Sequence, residues 1–162
     1  MMDIPLGDFG RGGLEQAPLV VGQQKIAPSI CYEDLFSEEL ALRFKDANSR
    51  PTIFANFSNL AWFGQSVAMH QHLHISRLRS REFGRPFLRV SNNGITSIVD
   101  HQGRVTAQIA PFSQGVLQAS VQGRTGLTPY AWWSSRWGQL PMWFTAIGVL
   151  LWSWTRREVA SQ

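Results

Sequence analysis

The sequence predicts a layered α/β fold, on three observations. Short apolar runs rich in β-branched and aromatic residues alternate with charged segments of helical period up to residue 83. After Pro86 the texture changes to closely spaced strand-like runs divided by turn residues. Between Arg136 and Arg156 there is no charged residue at all. The chain has 162 residues, enough for one domain with a real core. Its net charge of +4 comes almost entirely from arginine. No nucleic-acid-binding signature accompanies that charge, so no nucleic-acid partner is expected. The single cysteine, Cys31, excludes an intrachain disulfide and a Cys-rich zinc centre.

Residues 1–17 read as loop, because Gly7, Gly10, Gly12 and Gly13 break any periodicity. No Gly-Lys-Ser/Thr ending turns those glycines into a phosphate loop. "PLVVG" and "KIAPSIC" read as two strands across a Gly-Gln-Gln turn, and Pro28 points to a bulge or an edge position. A helix is expected over 34–47, then a buried strand in "PTIFANFS" and a loop in "NLAWFGQS". A second helix over 66–83 is ended by Gly84 and Pro86. Four strands follow, "PFLRVS", "GITSIVD", "RVTAQIA" and "GVLQASV", with "NNG" and "DHQGR" as tight turns. Residues 122–136 read as a linker.

The uncharged run "WGQLPMWFTAIGVLLWSWT" occupies 137–155. As a helix it rises about 28 Å, close to the roughly 30 Å hydrocarbon core of a bilayer. Trp132, Trp133 and Trp137 border one end, and Trp152 and Trp154 the other, as in an aromatic belt. The expectation is a domain over 1–135, a transmembrane helix over 137–155 and a cytoplasmic tail over 156–162. The start of the chain has no apolar signal-peptide region, which would leave the domain in the cytoplasm unless membrane segments precede it.

In "SICYEDLF", Cys31 stands at a strand end with a helix after it. Unpaired N–H groups and the helix dipole favour an anion there, and the N–H of Tyr32 points into the same space, where it can serve an oxyanion. This is the logic of a nucleophile elbow with sulfur for oxygen. A buried, inert cysteine suits the same position equally well.

"SICYEDLF", "NFSNLAWFG", "QHLHISRLRSREFGRPFLRVSNNGITSIVDHQG" and "GLTPY", in this order and closed by a Trp-rich helix, resemble the nitrilase superfamily and, within it, the apolipoprotein N-acyltransferases. The resemblance runs from about residue 18 to the uncharged run. It implies the C-terminal part of a nitrilase-like αββα sandwich on the periplasmic side of the bacterial inner membrane. Cys31 matches the nucleophile, with Tyr32 and Glu33 beside it. A phospholipid is the implied acyl donor and an apolipoprotein the implied acceptor, with no cofactor and no metal. The family's glutamate base and lysine have no matching motif here, since the only lysines are Lys25 and Lys45. The chain therefore reads as a fragment, inactive alone. Alternatives are a membrane-anchored nitrilase-type amidohydrolase and a non-catalytic membrane-anchored remnant.

Trp62 and Phe63 are candidates to line an acyl pocket or to dip into the bilayer, with a core role equally open. Leu60 stands where many family members have an acid. His70 and His74 share a helical face with metal-compatible spacing, but no third ligand accompanies them; His72 matches a family "QH" pair. Arg77, Arg79, Arg81, Arg85 and Arg89 form a basic run; some are candidates to face lipid head groups, and most are expected at the surface or paired with Glu82 and neighbouring acids.

Overall fold

The computed structural model describes residues 12–160. The expected loop over 1–17 lies partly, and the expected tail over 156–162 partly, outside the described residues. The strands β1 (Leu19–Val21), β2 (Gln24–Ile30), β3 (Ile53–Ser58), β4 (Phe87–Ser91), β5 (Thr96–Val99) and β6 (Val105–Ile109) form one sheet in the order of the chain. β2, β3 and β4 run parallel to one another, while β1, β5 and β6 join as antiparallel neighbours. The parallel steps need crossovers. One contains α1 (Ser37–Leu42), the other α2 (Ala68–Phe83). Two further helices follow the sheet, α3 (Pro129–Trp137) and α4 (Leu140–Ala160).

Strand alternation divides the sheet into two faces. Ala27, Phe54, Phe87 and Val99 are register partners across four strands, and all four are buried. Leu40, Ala41 and Phe44 from the α1 region, Leu73 and Phe83 from α2, and Ala131 from α3 complete this core. Its centre is aromatic: Phe44 stacks on Phe83 at 5.1 Å, and Phe54 lies 5.4 Å from Phe83 and 5.6 Å from Phe87. Toward the C-terminal ends of the parallel strands the opposite face carries a second row of partners, Ile30, Phe57 and Val90, at 67%, 50% and 47% exposure.

Pro28 fits its place in β2 because β1 pairs only with Gln24, Lys25 and Ile26. Beyond that stretch the β2 edge is free, so a missing N–H removes no ladder bond there. α2 ends where the sequence says it should, at Gly84, whose φ of 62° needs no Cβ.

Three expectations are corrected. The helix over 34–47 is a short 3-10 turn, Cys31–Leu35, followed by α1; Phe36, at φ −90° and ψ 83°, breaks the two apart. "GVLQASV" has strand-like alternation but pairs with nothing, and Val116 is 93% exposed. The linker over 122–136 contains most of α3. Thr128 caps it by accepting from the Ala131 N–H at 3.0 Å, and Pro129 follows at the first helical position. Tyr130 then locks α3 to α1 by donating its hydroxyl to Ser37 Oγ at 2.6 Å. Apart from these corrections, among the described residues no helix is long and apolar enough to cross a membrane. α4 begins three residues after the start of the expected span, and its apolar residues are diluted by Thr145, Gly148, Ser153 and the tryptophans, whose rings suit an interface better than hydrocarbon. Its surface is nevertheless apolar and open, with Trp143, Phe144, Leu150 and Trp154 all exposed.

Arg85 ties these parts together from inside. It is 2% exposed and donates to the carbonyls of Pro51 (2.6 Å), Phe83 (3.2 Å), Thr125 (3.3 Å) and Gly126 (2.7 Å). Its guanidinium also lies 5.2 Å from the Phe44 ring centroid. Burial lowers its pKa to about 10, aided by the nearby Arg50 charge, which leaves it cationic at neutral pH.

Phe54→Ala removes the ring at the centre of this core. It is expected to destabilise the fold by about 3–5 kcal/mol, whereas Val116→Ala should stay within about 0.5 kcal/mol of the parent. Urea unfolding followed by tryptophan fluorescence measures both.

Candidate active site

Cys31 sits where β2 gives way to the 3-10 turn. Its φ is 52°, in the left-handed region that a side chain with Cβ rarely adopts. Such a conformation costs on the order of 1–3 kcal/mol and persists only where surrounding contacts hold it. Those contacts are visible. The Asn56 amide, buried on β3, donates to the Cys31 carbonyl at 2.9 Å and to Ser29 Oγ at 3.1 Å. The Glu33 carboxylate accepts from the Ile30 N–H at 2.7 Å and closes the turn from the other side. Cys31 is thereby presented, half-buried, on a turn that is pinned before and after it.

The turn opens into a cleft of about 520 Å³ whose lining includes Ile30, Cys31, Tyr32, Glu33, Glu39 and Arg43. The Arg43 guanidinium donates to the Pro28 carbonyl at 2.6 Å. Burial lowers its pKa, and the Glu33 carboxylate opposes that shift. Tyr32 stacks on His72 with ring centroids 5.3 Å apart and meets Phe63 edge-on at 5.9 Å. Its pKa is raised by partial burial and then by the neighbouring Cys31 charge, so the phenol keeps its proton at neutral pH.

Beneath the turn lies a buried polar cluster. Asp34 has no exposed surface. Its carboxylate contacts His72 Nε2 at 2.9 Å, accepts from Ser76 Oγ at 2.9 Å and lies 3.9 Å from Arg89 Nη1. Arg89, 1% exposed on β4, also donates to Ser76 Oγ (3.1 Å) and to the carbonyls of His72 (3.4 Å) and Ile95 (3.2 Å). Its pKa is lowered by burial; Asp34, Cys31 and Tyr32 pull it back. The guanidinium thus places a fixed positive charge within electrostatic reach of Cys31. Ser29, Asn56, Arg89 and Ser97 are register partners on the inner sheet face, so one polar row across four strands supports the site.

Of the sequence-predicted residues, Cys31, Tyr32 and Glu33 come together. Phe63 joins them only through Tyr32. Trp62 does not line the cleft; it is exposed, and its indole N–H donates to the Asn59 carbonyl at 3.0 Å. Leu60 is fully buried, so an apolar residue suits that position. His72 is buried while His70 and His74 are exposed, and among the described residues no group of three or more His, Cys, Asp or Glu could hold a metal. Lys25 binds the Asn48 carbonyl and Lys45 pairs with Glu15 at 2.5 Å; neither lines the cleft. Of the five arginines, Arg85 and Arg89 are buried and not at the surface, and Arg79, also buried, makes the expected pair with Glu82 at 2.7 Å. Sequence reasoning missed Asp34, Asn56, Ser76 and Arg89. For Arg89 the available signal was its place among apolar residues in "PFLRVS", where strand alternation puts it on the same face as Phe87.

A cysteine on a strained strand-to-helix turn, backed by a polar row of a mixed sheet, agrees with the match of residues 5–130 to the carbon-nitrogen hydrolase family. The chain belongs to that family. Two solved structures share its fold at low identity. A carbon-nitrogen hydrolase from Helicobacter pylori G27 has a TM-score of 0.54 at 15% identity, covering 65% of this chain and 43% of that one. A CN-hydrolase superfamily protein from Xanthomonas campestris, with an arsenic adduct in its active site, has a TM-score of 0.50 at 16% identity, covering 80% of this chain and 50% of that one. Within the family the chain is similar to the apolipoprotein N-acyltransferase of Verminephrobacter eiseniae, at 51% identity over 85% of this chain and 27% of that protein. It is also similar to that of Ralstonia nicotianae, at 48% identity over 99% of this chain and 30% of that protein. The chain spans less than a third of the length of these relatives.

Asp34→Ala should destabilise the fold by about 3–5 kcal/mol, because it strands Arg89 as a buried unpaired charge. Combining it with Arg89→Met is expected to recover part of that loss. Denaturant unfolding of the two single variants and the double variant gives the coupling directly.

Proposed function

We propose that this chain carries the nucleophile-bearing part of an apolipoprotein N-acyltransferase. The observation that supports this reading most is Cys31 at φ 52° on the pinned turn, in a chain about half identical to proteins of that name. In the proposed reaction the Cys31 thiolate attacks an ester carbonyl of a phospholipid. A thioester forms, and the lysophospholipid alkoxide leaves with a proton. The α-amine of a diacylglyceryl-cysteine then attacks the thioester, the amide forms, and the thiol is regenerated. Splitting amide formation into two acyl transfers lowers each barrier. Tyr32, kept as a phenol, can donate a hydrogen bond to the developing oxyanion, and Arg89 favours negative charge near the sulfur. Glu33 holds the turn. Phe63, edge-on to Tyr32, and the exposed Trp62 next to it in the chain are proposed to meet acyl chains outside the cleft.

General acid–base help is worth roughly 10²- to 10⁴-fold, and one oxyanion donor roughly 10²- to 10³-fold. The family's glutamate and lysine are proposed to come from the rest of a longer protein, so the 162 residues alone should not turn over. With a phospholipid as donor, the proposed place of the protein is the bacterial inner membrane, with the domain on its periplasmic side. α4, with its apolar surface and terminal tryptophans, is the element proposed to embed in the bilayer.

With the full-length protein, phosphatidylethanolamine is expected to acylate Cys31, seen as a mass increase on that peptide that Cys31→Ala abolishes. Acylation of another residue would overturn the assignment. Alkaline carbonate extraction should leave the chain with the membranes, and deletion of 140–160 should release it.

A further inference from the structure

We propose that a second cleft, formed by one face of α2 and the turn between β5 and β6, binds a phosphate ester. His74, Arg77, Leu78 and Arg81 follow one another at helical spacing on α2, and His101 and Arg104 face them from the turn. The cleft has a volume of about 730 Å³, room for a phosphate with a glyceryl-sized substituent. Its lining contains three arginines, two histidines and no acid.

The two walls of the cleft are tied together at Arg77 and Gly103, while Arg81 and Arg104 stand exposed at its mouth. Arg77 Nε donates to the Gly103 carbonyl at 2.8 Å, which clips the turn to the helix. Gly103, at φ 78°, lies so close that a Cβ there would stand 2.7 Å from the Arg77 carbonyl oxygen and 2.8 Å from Arg81 Cγ. Asp100 borders the turn; one of its carboxylate oxygens accepts from the N–H groups of Gln102 (2.8 Å) and Arg104 (2.9 Å), and its charge also interacts with those of His101 and Arg104. Among the described residues Arg77, Arg81 and Arg104 form no direct ion pair with a carboxylate, unlike Arg79 and Arg89 in the same region. Arg124, 3.1 Å from His101 Nε2, adds a further cation at the rim. The protein carries a net charge of +4, and this cleft concentrates three guanidinium groups with planar forks suited to phosphate oxygens. It shares no lining residue with the Cys31 cleft, so the proposal stands apart from the acyl-transfer reading.

The test titrates the 162-residue chain in neutral detergent with glycerol 3-phosphate and inorganic phosphate. Arginine side-chain N–H signals are read by nuclear magnetic resonance. Saturable shifts are expected at Arg77 and Arg81, and Arg81→Gln with Arg104→Gln should weaken binding by about tenfold or more per lost contact. Lys45→Gln, on another surface, should change nothing, and near-ultraviolet circular dichroism of each variant checks the fold. A vesicle arm separates the sources. If the double variant also loses affinity for phosphatidylglycerol vesicles, the ligand is a lipid headgroup; if only the soluble ester responds, it is a free phosphate ester. Absence of saturable binding, or binding that the double variant leaves unchanged, would overturn the proposal.

Discussion

The carboxylate of Asp34 joins three separate parts of the structure at one point. It belongs to the turn that presents Cys31, yet its partners are His72 and Ser76 on α2 and Arg89 on β4. A buried carboxylate without such partners would be intolerable. Placing it under the nucleophile therefore obliges α2 to sit with the His72 and Ser76 face inward, and obliges β4 to turn its arginine toward the same spot. His72 in turn supplies the ring on which Tyr32 rests. The geometry of the cleft is thus set from below, by charge satisfaction, as much as by the apolar core beside it.

The two halves of the inner sheet face divide the labour. Phe54, Phe87 and Val99 supply apolar burial, and one step along the same strands Asn56, Arg89 and Ser97 supply polar support. Strand alternation makes this arrangement available without any change of backbone. Arg85 shows the complementary solution, in which a buried cation is satisfied by carbonyls alone. Its partners at Pro51, Phe83, Thr125 and Gly126 come from loops and helix ends, where carbonyls lack ladder or helix partners.

These two arginines mark the boundary of what was legible in the sequence. The strands, α2 with its glycine stop, and Cys31 at a strand-to-helix junction could be read, because apolar periodicity and turn chemistry are local signals. The nitrilase-like α/β fold and the family came from motif order. Whether an arginine is buried depends on partners distant in sequence, and Arg89 meets Asp34 only once β4 and the turn are neighbours. The α3 helix was hidden because its apolar pattern is short and its cap, Thr128, also bonds the Glu82 carbonyl, a contact made only in the folded chain. "GVLQASV" failed in the opposite sense: its alternation is a good strand pattern, but a strand exists only where an edge receives it. The uncharged run was legible as a helix.

Each strand of the sheet pairs with the one that precedes it in the chain. As the polypeptide emerges N-terminus first, every new strand of this sheet therefore meets an edge that has already been made, and no strand must insert between two existing ones. Domains synthesised at about 5–20 residues per second have time to add such strands singly. Asp34 is the exception to this vectorial order. It emerges long before His72 and Arg89, so during synthesis its charge stays in water until α2 and β4 have arrived, and the turn that carries Cys31 is among the last features to become rigid.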